Sequence, residues 1–232
     1  VKWDMNRSIT DGYSQGRDQE FQGEVLHRQI LGIYSLYQRL TDKFPEVLFE
    51  SCASGGARFD PGMLYYAPQA WTSDDTDALE RLKIQYGTSY CYPICSMGSH
   101  VSAVPNHQVF RNTPIKTRAD VAYFGTFGYE LDFNKLPKEE HEQIKEQITF
   151  MKQQQQLIME GTFYRLLSPF EGTETAWMVV SPDRKKALVG YYRMLQPMNE
   201  GYRWLKLAGL DADAEYSIKD TEYCMAADAY TY

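Results

Sequence analysis

Short apolar runs alternate with segments of helical periodicity over the first 160 residues of the chain. Apolar residues recur at helical spacing over residues 22–44, and the short, mostly apolar run 47–52 is typical of a strand in a buried parallel sheet. The same patterns predict further strands at residues 1–7, 68–73, 92–97 and 123–127. They also predict helices at residues 78–86, capped by Asp75 or Thr76 and closed by Gly87, and at residues 117–122 and 138–161.

This alternation of strand and helix favours parallel βα units. Five strands fall within residues 1–160, close to the ~31 residues per unit of an eight-unit (β/α)8 TIM barrel. Five units cannot close such a barrel. We therefore expect residues 1–160 to be the C-terminal part of a barrel whose first three units belong to unseen chain, so that the sequence is a piece of something longer.

The pattern of apolar and polar residues changes after Gly161. Short β-prone runs at residues 163–167, 176–180, 186–193 and 202–207 are separated by turn residues, and helical periodicity is lost. These features predict a small antiparallel β-sandwich. The predicted fold class is thus α/β followed by all-β. Its domains are residues 1–160 and residues 161–232, the second either whole or truncated.

Composition narrows the classes of function. The chain has 232 residues, is 43% hydrophobic and carries a net charge of −7, which allows a real core and argues against nucleic acid as a partner. No apolar run is long enough for a membrane span and no signal peptide opens the sequence, so we expect no membrane partner and a cytoplasmic location. The four cysteines lack zinc-like spacing, which favours free thiols.

The first strand carries an unusual polar face. Alternation puts Lys2, Asp4 and Asn6 on one face and Trp3 and Met5 on the other. A carboxylate between an ammonium and an amide stays ionised at neutral pH, which suits a nucleophile or an electrostatic stabiliser. The alternative is an edge strand with one solvated face and a local ion pair.

A second acidic group, Asp74 and Asp75, follows the predicted strand 68–73. Acidic residues at a helix start are expected from the helix dipole, which accounts for Asp75 and Asp77. Asp74 lies one residue before Asp75, at the end of the predicted strand. Retaining glycosidases need two carboxylates, and in a parallel barrel Asp4 and Asp74 would lie on alternate strands at the active face.

Six stretches of the sequence resemble the α-galactosidases of glycoside hydrolase family 36. They are KWDMNR at 2–7, SCASGGARFD at 51–60, WTSDDTDA at 71–78, IQYGTS at 84–89, MGSHVSAVPNHQ at 97–108 and GTFGYELD at 125–132. They occur in the family's order over most of residues 1–160, and the tail resembles the family's C-terminal β-sandwich more loosely. The family often has glycine at Ala53 and Ala57, which weakens inferences about that loop's conformation.

The resemblance implies a role for six residues: Asp4 as nucleophile, Asp74 as acid/base, Lys2 and Asn6 as hydrogen-bonding partners of galactose, and Cys52 and Gly55 as sugar contacts. It implies no cofactor and no metal, and we expect a homo-oligomer in the full-length protein. The two carboxyl groups should lie about 5–5.5 Å apart, as in retaining enzymes.

The implied function is a retaining glycoside hydrolase that releases terminal α-linked galactose from oligosaccharides of the melibiose and raffinose type. The alternatives are a non-catalytic carbohydrate-binding module and a transferase of the raffinose-synthase kind. We expect the 232-residue piece alone to be inactive, because the family's galactose pocket also uses early barrel strands.

The assignments of five further residues depend less on the resemblance. Arg58 and Asp60 are predicted to form a structural ion pair at the barrel rim. Trp71 is interpreted as core or pocket wall rather than as a stacking platform. His100 and His107 have no suitably spaced carboxylate or cysteine, so we interpret them as loop histidines rather than metal ligands.

Overall fold

A computed structural model describes residues 1–6, 9–196, 198–199, 201–219 and 224–226 of the chain. The strands are β1 (Lys2–Asp4), β2 (Glu50–Cys52), β3 (Gln69–Ala70), β4 (Gly98–Ser102), β5 (Thr126–Glu130), β6 (Thr162–Leu167), β7 (Glu174–Val180), β8 (Ala187–Arg193), β9 (Glu215–Ser217) and β10 (Cys224–Ala226). The α-helices are α1 (Val25–Lys43), α2 (Pro61–Tyr66), α3 (Ala78–Thr88), α4 (Ile115–Ala122) and α5 (Lys138–Glu160). Short 3-10 helices cover Gln19–Glu24, Ile94–Ser96 and Phe133–Lys135.

The structure confirms a mixed α/β chain with an antiparallel sheet at its C-terminal side. Internal contacts divide it into two compact units, residues 1–74 with 96–98 and residues 75–95 with 99–232. The predicted domain boundary at residue 160 was drawn from sequence texture and stays a prediction. The two units are described in turn.

The first unit is built on a parallel sheet in the order β1-β2-β3. Lys2 pairs in register with Glu50, which pairs with Gln69, and Asp4 pairs with Cys52. A parallel bridge joins Ala70 to Met97 and adds a fourth segment running the same way. The carboxyl ends of these segments therefore lie at one edge of the sheet, as the βα reading of the sequence predicts.

The two faces of β1 have different surroundings. Trp3 points into a core cluster in which Tyr37, from α1, is fully buried, and the two ring centroids are 4.6 Å apart. Lys2 and Asp4 are exposed. The predicted alternation is confirmed, because burial of the Trp3 side forces its neighbours onto the opposite face.

The helix α1 is confirmed, whereas α2 was absent from the sequence prediction. Asp60 caps α2 by accepting a hydrogen bond from the Met63 amide at 2.8 Å, and Pro61 occupies the first turn. Both are standard start signals. A helix of six residues is too short to show apolar periodicity, so only its cap could have revealed it.

In the second unit, α3 begins after Asp77, whose Oδ2 accepts from the amides of Leu79 and Glu80 at 3.0 and 3.2 Å. The predicted caps Asp75 and Thr76 are therefore wrong. Gly87 does not close the helix but lies inside it. Asp77 also forms an ion pair with Arg111, which accounts for a buried carboxylate at this position.

Two predicted strands are displaced along the sequence. Residues 92–97 contain a 3-10 turn at Ile94–Ser96, and the strand follows as β4; Pro93 lacks an amide hydrogen and cannot join a ladder. Residue Tyr123 still belongs to the end of α4, since its amide donates to the Ala119 carbonyl, and the next strand starts only at Thr126.

The C-terminal sheet is antiparallel in the order β6-β7-β8. Its central strand β7 is buried from Thr175 to Val180, and Trp177 packs on the rings of Phe124, Phe163 and Tyr192. The predicted strand at residues 202–207 is wrong. Tyr202 and Trp204 are exposed, and although Leu205 and Leu207 are half-buried, the segment forms no strand and does not pair with β6, β7 or β8.

None of the helices in the described ranges combines the length and apolar character needed to cross a membrane. Cys52, Cys91 and Cys95 are free thiols, as predicted. The corresponding prediction for Cys224 lies outside the described side chains.

Replacing Gly161 by alanine tests the junction between α5 and β6. A Cβ there would lie 2.4 Å from both the Leu157 carbonyl oxygen and Val179 Cγ1, and 2.9 Å from the Val180 carbonyl oxygen. Because backbone atoms cannot move aside cheaply, we expect Gly161→Ala to lower the free energy of unfolding by about 1–3 kcal/mol in urea denaturation.

Gly172→Ala is the matched control, because a Cβ at Gly172 meets no heavy atom within 4 Å. Its unfolding free energy should stay within about 0.5 kcal/mol of the parent. Equal stability of the two variants would contradict the packing described at Gly161.

Candidate active site at the carboxyl edge of the parallel sheet

Asp4 ends β1 and is the centre of a small network of donors. Its carboxylate accepts a hydrogen bond from Asn6 Nδ2 at 3.1 Å and another from the Cys52 thiol on the paired strand. Desolvation by burial acts to raise the pKa of the carboxyl. The two side-chain hydrogen bonds, with the charge of Lys2 and the Met5 amide, outweigh it and hold the pKa of Asp4 below its ordinary value. The geometry thus favours an ionised Asp4.

Asn6 links the first strand to the loop after the second. While its Nδ2 donates to Asp4, its Oδ1 accepts from the Ser54 amide at 2.7 Å. The residue between Asp4 and Asn6 is also fixed, because the Met5 amide donates to the Cys52 carbonyl at 3.1 Å. The amide of Asn6 is therefore fixed from both sides, which orients its donor toward the carboxylate.

Lys2 lies on the same face as Asp4 and extends its ammonium over the Trp71 ring, 4.1 Å from the ring centroid. Trp71 follows β3 and is only 5% exposed. A cation held over an indole face is stabilised by the ring's quadrupole and keeps donors free for a ligand. The structure therefore gives the core residue Trp71 a role in placing Lys2.

Cys52 is buried at the end of β2. Desolvation, reinforced by its hydrogen bond to Asp4, raises the pKa of the thiol to about 11. A thiol with this pKa is neutral at physiological pH and is a poor nucleophile. Cys52 acts here as a donor to the Asp4 carboxylate.

Gly55 lets the loop after β2 press against the segment that carries Asp74. Its φ is +76°, and an added Cβ would lie 2.6 Å from the Ser73 Cα and 2.9 Å from the Asp74 amide nitrogen. Gly56 makes a similar approach to the Thr72 carbonyl oxygen. Only glycine allows this contact, so the loop sets the position of Asp74.

Asp74 is half-buried just beyond β3, and β2 lies between its strand and that of Asp4. Neighbouring strands lie about 4.8 Å apart, so the two backbones are separated by roughly 10 Å, a gap that two side chains facing the same site can shorten. The alternate-strand arrangement predicted from the sequence is confirmed.

Arg58 is a residue that the sequence interpretation placed in the wrong role. Its Nη2 donates to the carbonyls of Trp3 and Cys52 at 3.1 and 2.6 Å, so it clasps the ends of β1 and β2. Asp60 instead caps α2 and accepts from the Tyr34 hydroxyl. The predicted ion pair is wrong, because carbonyl groups at the strand ends offer Arg58 closer acceptors. An arginine inside a glycine-rich loop was the available signal.

The histidines belong to the second unit. His100 lies in β4, beside Gly128, rather than in the predicted loop, and His107 is exposed next to Gln108. Across the described ranges, no group of three or more His, Cys, Asp or Glu side chains could hold a metal ion.

The first unit therefore brings together an ionised carboxylate, a second carboxylate two strands away, an ammonium, an amide and a neutral thiol. Paired carboxylates at the ends of parallel strands are an arrangement that glycoside hydrolases with a barrel fold use. The Melibiase family model matches residues 1–161, and the model of the glycosyl hydrolase family 36 C-terminal domain matches residues 174–232. The chain belongs to the melibiase family.

Curated relatives of the chain are named α-galactosidases. The chain is 57% identical to α-galactosidase AgaA of Geobacillus stearothermophilus, over 94% of this chain and 30% of that protein. It is 44% identical to α-galactosidase Mel36A of Lactobacillus acidophilus, over 98% of this chain and 31% of that protein. The chain thus spans about a third of the length of these relatives.

Solved structures agree with the fold. The crystal structure of Geobacillus AgaA superposes with a TM-score of 0.95 at 54% identity, covering 100% of this chain and 32% of that one. Two further AgaA structures hold raffinose and stachyose, and each carries one substituted aspartate besides a shared Ala-to-Glu change.

Gly55→Ala tests the contact that positions Asp74. The substitution is strained by the positive φ and by backbone atoms within 3 Å, so we expect a loss of about 1–3 kcal/mol in unfolding free energy. In a crystal structure of the variant, the Ser73–Asp74 segment should shift away from the loop.

Gly32→Ala in α1 is the control, since a Cβ there meets nothing within 4 Å. A helix-interior alanine should stabilise by about 0.5–1 kcal/mol. An unstrained Gly55→Ala variant with Asp74 unmoved would show that the loop does not set this position.

Proposed function

We propose that the complete protein carrying this chain is a retaining α-galactosidase that releases terminal α-linked galactose from oligosaccharides of the melibiose and raffinose type. The observation that carries the proposal is the ionised Asp4, fixed by the Asn6 amide and the Cys52 thiol, with Asp74 on the segment that follows β3, two strands away. The family membership and the raffinose and stachyose complexes of AgaA support this choice of substrate.

The proposed reaction has two displacements. Asp4 attacks the anomeric carbon while Asp74 gives a proton to the departing glycosidic oxygen, so the bond to the leaving group breaks and a galactosyl ester of Asp4 forms. A water molecule then loses a proton to Asp74 and attacks the anomeric carbon. The ester bond breaks, Asp4 is released as a carboxylate, and galactose leaves with retained configuration.

The low pKa of Asp4 supports its place in this scheme, because a nucleophilic carboxylate must be ionised before substrate arrives. The ammonium of Lys2 and the amide of Asn6 supply donors for sugar hydroxyl groups on the same face. Cys52 ends the next strand and Gly55 lies in the loop after it, at the positions that the family resemblance assigns to sugar contacts.

The spacing of two aspartates in AgaA also supports the assignment of Asp4 as nucleophile and Asp74 as acid/base. The aspartates substituted in the raffinose and stachyose complexes of AgaA are separated by as many residues as Asp4 and Asp74 are. Substituting a group required for turnover is a common way to keep a substrate intact in a crystal.

The fold proposal follows the same family. Residues 1–160 form the last five βα units of an eight-unit barrel, and residues 161–232 form an antiparallel β domain. The parallel sheet and the superposition on AgaA support this proposal. A cytoplasmic location and a homo-oligomeric state stay predictions.

Substituting each aspartate in the complete protein tests the two roles separately. Asp4→Ala should lower kcat for melibiose-type substrates by roughly 10⁴–10⁶-fold, as expected for loss of a nucleophile. Added azide should enter the space of the missing carboxylate and yield β-galactosyl azide. Asp74→Ala should keep more activity on p-nitrophenyl α-galactoside, whose leaving group needs no proton, and should yield α-galactosyl azide.

Asp42→Ala, on the exposed surface of α1, serves as the control and should retain parental kcat. Azide products of the opposite anomeric form would reverse the two roles. Sugar binding without turnover in the parent would favour a carbohydrate-binding module, and transfer to an added galactosyl acceptor would favour a transferase.

The isolated chain should be inactive, or nearly so, on p-nitrophenyl α-galactoside. It spans about a third of its relatives, and we expect the galactose pocket to need residues beyond those in the chain. The complete protein, assayed at equal molarity, is the control, and circular dichroism checks that the isolated chain is folded. Robust turnover by the isolated chain would contradict this expectation.

A further inference from the structure

A second row of polar residues crosses the sheet two residues before Asp4 and Cys52 on their strands. Lys2, Glu50 and Gln69 are paired in register across β1, β2 and β3. In-register residues of parallel strands share a face, so this row lies on the same face as Asp4 and Cys52. Gln69 Nε2 donates to Glu50 Oε2 at 2.6 Å and fixes the carboxylate of a half-buried residue that the proposed reaction does not use.

The positive charge of Lys2 acts on two carboxylates. It acts electrostatically on both Asp4 and Glu50, while its position over Trp71 draws it across the face of the sheet. Along β1, Lys2 and Asp4 are about 6.6 Å apart, whereas the paired residue on β2 is about 4.8 Å away. Glu50 therefore competes with the nucleophile for the ammonium.

We propose that Glu50 is a positioning residue: held by Gln69, its carboxylate restrains Lys2 against the Trp71 ring, so that the ammonium serves the sugar instead of pairing with Asp4. This inference rests on the proposed function and deepens it. A free Lys2 paired with Asp4 would neutralise the nucleophile and withdraw a donor from the substrate, and either effect would slow glycosyl transfer.

The burial of Glu50 supports an active role for its charge. Desolvation raises the pKa of the Glu50 carboxyl, against the opposing charge of Lys2. A half-buried carboxylate is unfavourable unless its charge and its hydrogen-bonding capacity are compensated, and here the nearby positive charge of Lys2 and the hydrogen bond from Gln69 do so. When pH falls through this raised pKa, Glu50 becomes neutral and its hold on Lys2 is lost.

The test is Glu50→Gln in the complete protein, which keeps the shape and a hydrogen bond to Gln69 but removes the charge. We expect KM for p-nitrophenyl α-galactoside to rise roughly tenfold, as for loss of a charged hydrogen-bonded partner. We expect 1/KM of the parent to fall as the pH is lowered, and Glu50→Gln should weaken this dependence, because the remaining part belongs to Asp4 and Asp74. The matched control is Glu46→Gln, an exposed glutamate four residues earlier, with KM within twofold of the parent.

A double-mutant cycle with Lys2→Met separates positioning from a purely structural effect. If Glu50 acts through Lys2, then Glu50→Gln should raise KM in the parent but cause no further rise in the Lys2→Met background. Glu50→Asp, which keeps the charge, should recover part of the lost affinity and keeps the test open if Glu50→Gln fails to fold.

Unchanged KM and an unchanged acid limb in Glu50→Gln, or additive effects in the cycle, would overturn the proposal. Absence of turnover in the parent would instead defeat the proposed function. In that case galactose binding by calorimetry still compares Glu50→Gln with Glu46→Gln. A tenfold weaker affinity in the first alone supports the positioning role, and equal affinities overturn it.

Discussion

The register of three very short parallel strands fixes every group of the candidate site in the first unit. Asp4 faces the site because it pairs with Cys52, and Lys2 lies below it because it pairs with Glu50. A slip of one residue would turn Lys2 and Asp4 into the core and bring Trp3 to the surface. Burial of Trp3 against Tyr37 makes that slip unfavourable, so apolar packing on one face holds the polar chemistry on the other.

Strands of two or three residues form too few ladder hydrogen bonds to fix the carboxyl edge of the sheet by themselves. The structure adds contacts at the strand ends: Arg58 binds the carbonyls of Trp3 and Cys52, and Asn6 binds the Ser54 amide. Gly55 then allows the loop to touch the backbone before Asp74. These contacts connect three successive strand ends.

The sequence predicted the parts of this arrangement that depend on local periodicity. The two faces of β1 follow from a period of two, and the helices α1 and α5 from long apolar spacing. Segments governed by a single residue were harder to place: Pro93 delays a strand, and Asp60 with Pro61 starts a helix too short for periodicity. The segment 202–207 has strand-like composition but pairs with no strand of the sheet β6-β7-β8, and composition does not show whether a pairing partner is available.

Among the site residues, the resemblance to known enzymes named Asp4, Asp74 and their neighbours, and those assignments stay predictions. Periodicity alone reached only the shared face of Lys2, Asp4 and Asn6. The clasp formed by Arg58 and the row through Glu50 and Gln69 could not be predicted, because both depend on which strands become neighbours. Adjacency in a parallel sheet is set by the crossover connections and is invisible in the spacing of the residues themselves.

The neutral thiol of Cys52 has a chemical consequence of its own. With a pKa of about 11 and almost no exposed surface, the sulfur is shielded from the thiolate chemistry that peroxides and disulfides exploit. Cysteine at such a place combines a weak hydrogen-bond donor with a soft, compact side chain, without making the site sensitive to redox conditions. Among the described cysteines, the exposed Cys91 lacks this shielding, so thiol oxidation should reach it before Cys52, the thiol that donates to Asp4.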